Sequence, residues 1–208
     1  MIKHITPLKT HHSAGDWNFS SPNWRITNLL YQSPPSAFQT WNEMNPCSCL
    51  ILCKNAAVLK LPWGRIVTWL RHPQQAAAWQ ITFRNTAPPG SANLNNCYQV
   101  YFSLELLSWY LTERQAGAVV REWSTAKSAL LPNTWYHIRV NFIPQWDQMV
   151  VSLEIEIDAT WVQQGELITV VNPLFEGEDY QRPGIQGNNP QYYNHATWDD
   201  TEIWEYVP

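Results

Sequence analysis

Two consecutive stretches constrain this chain more than any others: "NTWYHIRVNFI" at 133–143 and "MVVSLEIEID" at 149–158 alternate apolar and polar side chains at every second position. Successive side chains of an extended strand point to opposite faces. Tyr136, Ile138, Val140 and Phe142 therefore form one row, and Trp135, His137, Arg139 and Asn141 the other. The second stretch sets Val151, Leu153, Ile155 and Ile157 against Glu154, Glu156 and Asp158. "PQWDQ" turns the chain between them. If the two apolar rows share a core, the register brings His137 and Arg139 near Glu154 and Glu156. The acidic row then reads as the ion-paired, solvated side of a strand.

The rest of the chain carries the same signal. "DWNFSS", "NWRITNLLYQS", "GRIVTWLRH", "AAWQITFRNT", "CYQVYFSLELLSWYL" (Cys97 to Leu111), "AGAVVREWS", "LITVVN" and "ATWDDTEIWEYV" are rich in β-branched and aromatic residues. "SPPSAFQTWNEMNPCS", "TAPPGSANLNN" and the segment containing "ATWVQQGE" read as turn or loop, and "STAKSALLP" as a short helix. Roughly ten or more strands without βαβ alternation predict an all-β chain. Its expected form is a two-sheet antiparallel β-sandwich or jelly roll, a single domain over 1–208.

Composition removes several classes of function. The net charge of -4 and pI near 5.8 arise from scattered charges without a Lys/Arg run, so no nucleic-acid footprint is present. No stretch approaches the roughly 18 apolar residues of a membrane span, and "MIKHITPLKTHH" lacks the apolar run of a signal peptide, so a soluble polypeptide is expected. Cys47, Cys49, Cys53 and Cys97 do not have zinc-site spacing and are expected to be buried, reduced thiols or one bridge. His11 and His12 read as a polar patch rather than a ligand pair. Thirteen Trp, nine Tyr and fifteen Pro suit turn-rich β-structure, and indole faces also suit the apolar face of a pyranose.

Residues read as lying in turns form the candidate saccharide surface: Trp146, Trp161, Tyr180, Tyr192 and Tyr193, with the amides of Asn188, Asn189, Asn194 and Gln191. An aromatic ring in a turn is hard to explain by packing, and amides can chelate vicinal hydroxyls.

"LLPNTWYHIRVNF", "VVSLEIEID", "RPGIQG" and "HATWDDTEIWEY" together resemble the concanavalin A-like lectin/glucanase superfamily, in particular its laminin G-like and carbohydrate-binding jelly rolls, over about residues 60–207. The resemblance implies two sheets with a concave and a convex face. Retaining glucanases of that superfamily resemble one another in an E-x-D-x-(x)-E strand whose carboxyls stand about 5–5.5 Å apart. Here the order is E-x-E-x-D, and it follows the Trp-bearing strand instead of preceding it, so no catalytic residue is assigned. The resemblance also implies a structural calcium ion on the closing strand, held by Asp199 or Asp200 together with Asp16; neighbouring strand residues face opposite ways, so at most one of the adjacent pair would ligate. A non-catalytic, carbohydrate-binding recognition module is therefore expected. The alternative is a virion, capsid or other assembly protein that binds protein partners and oligomerises, and the third reading is a glycoside hydrolase or polysaccharide lyase.

Overall fold

The computed structural model describes residues 2–6, 17–19, 24–27, 37–40, 47–53, 58–72, 78–189 and 197–207. Among them are sixteen strands: β1 (Ile2–Thr6), β2 (Trp17–Phe19), β3 (Trp24–Thr27), β4 (Ala37–Thr40), β5 (Cys47–Cys53), β6 (Gly64–Arg71), β7 (Ala78–Asn85), β8 (Cys97–Ser103), β9 (Ser108–Gln115), β10 (Ala118–Ala126), β11 (Tyr136–Gln145), β12 (Gln148–Ile157), β13 (Thr160–Gln163), β14 (Ile168–Val171), β15 (Arg182–Asn189) and β16 (Thr197–Tyr206). They form two antiparallel sheets. A nine-stranded sheet runs β13-β12-β11-β6-β16-β4-β3, with β1 on β16 and β14 on β12, and a seven-stranded sheet runs β10-β9-β8-β7-β15-β5-β2. Among the described residues no helix is long and apolar enough to cross a membrane.

Alternation explains why the sheets stack. Ile138, Val140 and Phe142 of β11 and Val151, Leu153 and Ile155 of β12 are buried, and the pairing Arg139↔Glu154 is the one the apolar rows require. From the other sheet, Trp79, Ile81 and Phe83 of β7, Val100 and Phe102 of β8, and Trp109 and Leu111 of β9 face them in one core. Phe83 stacks on Phe142 across the layers, with ring centroids 4.3 Å apart and planes 12° from parallel. Each such aromatic side chain removes apolar area worth roughly 1.5–3 kcal/mol from water.

Among the described residues, one ion pair has its acid buried within the sandwich. Glu113 of β9 is only 1% exposed, takes a 2.6 Å hydrogen bond from the Tyr98 hydroxyl, and is gripped by the Arg121 guanidinium. Arg121 also donates to the Val171 carbonyl, and the Leu174 amide donates to the Tyr98 oxygen, so the network ties the edge of one sheet to the end of β14 in the other. Burial alone would push Glu113 upward. The hydrogen bonds from Arg121, Tyr98 and Gln115 override it and hold the carboxyl below its usual value. The buried Arg182 donates to the carbonyls of Cys53, Ala87, Pro88 and Ser91 and so fastens the 87–91 loop to β5.

Four local expectations differ from the structure. "STAKSALLP" is not helical: Thr125 and Ala126 pair with Trp109 and Ser108, and the Lys127 amide bonds the Leu107 carbonyl, so a ladder claims the residues first. Cys97 to Leu111 is two strands, because the Ser103 hydroxyl accepts the Leu106 amide and closes a turn that contains no Gly, Pro or Asn. Trp161 lies on a strand, β13, reached through Asp158 and Ala159, both with positive φ, a two-residue turn built without Gly or Asn. The proline-broken segment contains β4. Cys97 is a buried thiol pushed up to about 12 by burial, with Arg114 acting in the opposite sense, which makes it chemically inert.

Because the folded-state value of Glu113 lies below its ordinary 4.5, its contribution is present above that pH and is lost as pH falls through the lowered value. Urea unfolding should show the wild type losing stability on the acid side of 4.5. Glu113→Gln should cost about 1–3 kcal/mol at pH 7 and flatten that acid limb; an unchanged acid limb would remove Glu113 as its source.

Candidate functional site

Strands β7 to β10 turn their second side-chain row away from the core. Antiparallel pairing aligns Gln80, Tyr101 and Tyr110 in one cross-strand row, and Thr82, Gln99, Thr112 and Glu122 in the next. All of these except Thr82, with Leu106 from the β8–β9 turn and Val119 and Arg114 at the other end, line a depression of about 320 Å³.

Gln99 organises the floor. Its Nε2 donates to Gln80 Oε1 at 2.8 Å, to Gln186 Oε1 at 2.9 Å and to Thr82 Oγ1 at 3.3 Å, while its Oε1 accepts Arg114 Nε at 2.6 Å. Arg114 Nη1 is spent on the Gly117 carbonyl at 2.8 Å. Among the described residues, that leaves Gln80 Nε2, Arg114 Nη2, the two tyrosine hydroxyls and the Glu122 carboxylate without protein partners and lining the hollow. Tyr101 and Tyr110 stand 5.9 Å apart at 59°, offering ring surface beside those polar atoms. Burial, with Tyr110 and Glu105 nearby, pushes the Tyr101 phenol up, so it stays neutral and can both donate and accept.

The outer face of the other sheet has the opposite character. Arg139 grips Glu154, His137 Nδ1 lies 2.6 Å from Glu156, and Asn141 donates to Glu154 at 2.7 Å and to Ser152 at 2.9 Å. Trp69 stacks on His137 at 4.3 Å with planes 3° apart, and Trp161 packs against His137 and beneath Arg139. Burial would raise Glu154, but the hydrogen bonds from Arg139 and Asn141 override it and hold it ionised. Glu154 is taken up by Arg139 and Glu156 by the His137 ring, so these two acids do not form a pair facing across a substrate gap.

Among the described residues, Trp146, Trp161 and Tyr180 do not line the depression. Trp146 caps the β11–β12 hairpin of the nine-stranded sheet, 97% exposed and with φ 61°. Trp161 belongs to the stack just described. Tyr180 is half-buried ahead of β15, and Asn188 and Asn189 are not in a loop but end β15, paired with Ser48 and Cys47. Tyr192, Tyr193, Asn194 and Gln191 lie outside the described residues, as does Asp16. The residues of the depression other than Leu106 sit on strands, and the signal for most of them is the polar phase of β7 to β9, where amides, tyrosines and an arginine alternate with core residues.

At the closing strand, β16 bulges between Asp199 and Glu202, and Asp200 has φ 42°. Asp199 is fully buried and its Oδ1 accepts the Asp200 amide at 2.9 Å; Thr68 Oγ1 donates to the Asp199 carbonyl at 3.0 Å. Among the described residues no group of three or more His, Cys, Asp or Glu could hold a metal ion. Two adjacent carboxylates fall short of the six to eight oxygens calcium takes.

No family model matches the sequence, and no curated protein matches it. Solved structures do match in fold. The potassium-bound carbohydrate recognition domain of Emp46p superimposes with a TM-score of 0.63 at 10% identity, covering 99% of this chain and 98% of that one. The legume lectin-like domain from Entamoeba histolytica gives 0.60 at 10%, covering 99% and 97%. The carbohydrate-binding module CBM66 from Bacillus subtilis gives 0.53 at 13%, covering 92% and 96%. The chain has the concanavalin A-like β-sandwich fold.

Trp146 has no packing to lose and a backbone geometry that suits glycine. Trp146→Gly should change stability by less than about 1 kcal/mol in urea unfolding. A larger loss would show that the Trp146 ring packs on the hairpin.

Proposed function

We propose that this chain is a non-catalytic carbohydrate-binding module that seats a sugar unit in the depression on the outer face of the seven-stranded sheet. The observation that carries the reading is the hydrogen-bond hub at Gln99, which fixes Gln80 and Arg114 around a hollow of about 320 Å³ while leaving Gln80 Nε2, Arg114 Nη2 and Glu122 unused. Such groups are oriented before a ligand arrives, so little side-chain entropy is lost on binding. Tyr101 and Tyr110 supply ring surface for the apolar face of a pyranose, and the remaining amide, hydroxyl and guanidinium donors suit its hydroxyls. Similarity in fold to a carbohydrate recognition domain, a lectin-like domain and a carbohydrate-binding module supports the same reading. Their coverage of nearly the whole chain supports a single sandwich unit over 1–208.

Glycoside hydrolysis needs two carboxyls flanking the scissile bond. Among the described residues lining the depression Glu122 is the one carboxylate, so binding fits the site better than turnover. Affinity per site is expected to be modest, with avidity available where several copies act together.

Affinity electrophoresis across a polysaccharide panel tests the reading. At least one polysaccharide should retard the wild type, and Tyr110→Ala should weaken that retardation by about tenfold or more, the scale of one lost aromatic contact, with its melting temperature preserved. Absence of retardation by every polysaccharide, with a stable oligomer or protein complex in light scattering, would move the assignment to an assembly role. A structural calcium ion at Asp199 or Asp200, with Asp16, belongs to the same proposal. Thermal melts should then run several degrees higher in calcium than in chelator, a difference abolished by Asp200→Asn. Identical melts would remove calcium from the account.

A further inference from the structure

The depression holds charges of both signs at its β9–β10 end. Arg114 Nη2 and the Glu122 carboxylate both line it, and neither has a protein partner among the described residues. The pairings Val119↔Arg114 and Glu122↔Thr112 put the two side chains on neighbouring strands at diagonal positions, the separation at which two groups can reach one small ligand. Glu122 is exposed on the edge strand β10, and Glu105 at the β8–β9 turn is close enough to act on Tyr101. Among the described lining residues Glu122 offsets Arg114, so the site carries no excess of positive charge. An acidic sugar would bring a second negative charge beside Glu122, and opposite-sign groups suit a neutral diol, in which one hydroxyl donates to the carboxylate and its neighbour accepts from the guanidinium.

Resting on the carbohydrate-binding reading above, we infer that the depression selects an uncharged sugar, gripped between Arg114 and Glu122, and that Glu122 is the residue that excludes uronate-bearing chains. Specificity of this kind comes from a repulsive element as much as from an attractive one.

The experiment compares neutral polysaccharides (galactomannan, xyloglucan and laminarin) with polyuronates (alginate and polygalacturonate) by affinity electrophoresis of wild type, Glu122→Gln and Glu122→Ala, with melting temperatures checking that each variant folds. The wild type should be retarded by a neutral chain and not by either polyuronate. Both variants should shift the neutral-to-acidic preference by about tenfold or more towards the polyuronates. Wild type retarded by a polyuronate as strongly as by any neutral chain, or a preference unchanged in both variants, would overturn the inference while leaving carbohydrate binding intact. Lack of retardation by any chain in all three proteins would instead take down the binding reading, and the selectivity with it.

Discussion

Each strand of a two-layer sandwich has two faces and commits them together. When Phe83 and Phe142 stack across the layers at 4.3 Å, every second residue along β7 and β11 is assigned to the core and the remainder to the outside. Neighbouring strands inherit the assignment through their ladders. A slip of one residue in β8 would turn Gln99 and Tyr101 into the core and drive Val100 and Phe102 outward, exchanging a buried apolar row for two polar groups. The composition of the outer depression is therefore a consequence of how the inner faces pack, and its geometry is as firm as the core.

The two outer faces use their polar residues differently. On the nine-stranded sheet, Arg139 meets Glu154, His137 meets Glu156, Asn141 bridges to Ser152, and two indoles lie against the ring and guanidinium they flank, so the face is closed in on itself. On the seven-stranded sheet, Gln99 is saturated by four partners yet leaves Gln80 and Arg114 with donors to spare. A satisfied network gives shape, and an unsatisfied rim gives a ligand something to do.

Much of the architecture was legible because period-two patterning is a local property. The β11–β12 register follows from Ile138, Val140, Phe142, Leu153 and Ile155 alone, and with it the partners of Glu154 and Glu156. Turns closed by unusual means were not legible: Ser103 capping Leu106, and Asp158–Ala159 in positive φ, carry no glycine or proline to announce them. The depression escaped for a different reason. Gln80, Gln99 and Arg114 lie on three separate strands and converge only once those strands pair, so no contiguous stretch of sequence displays them together.

Strand β16 lies between β6 and β4 and also takes β1 along its edge, so a segment made late in the chain fills the middle of the nine-stranded layer. Until it arrives, β6 and β4 have no shared neighbour and their unpaired amides face water. Contacts so distant in sequence make closure of that layer slow compared with the hairpins β8–β9 and β11–β12. A nascent chain therefore spends an interval with a ready half and a gap, and during that interval its bare strand edges are open to pairing with other chains.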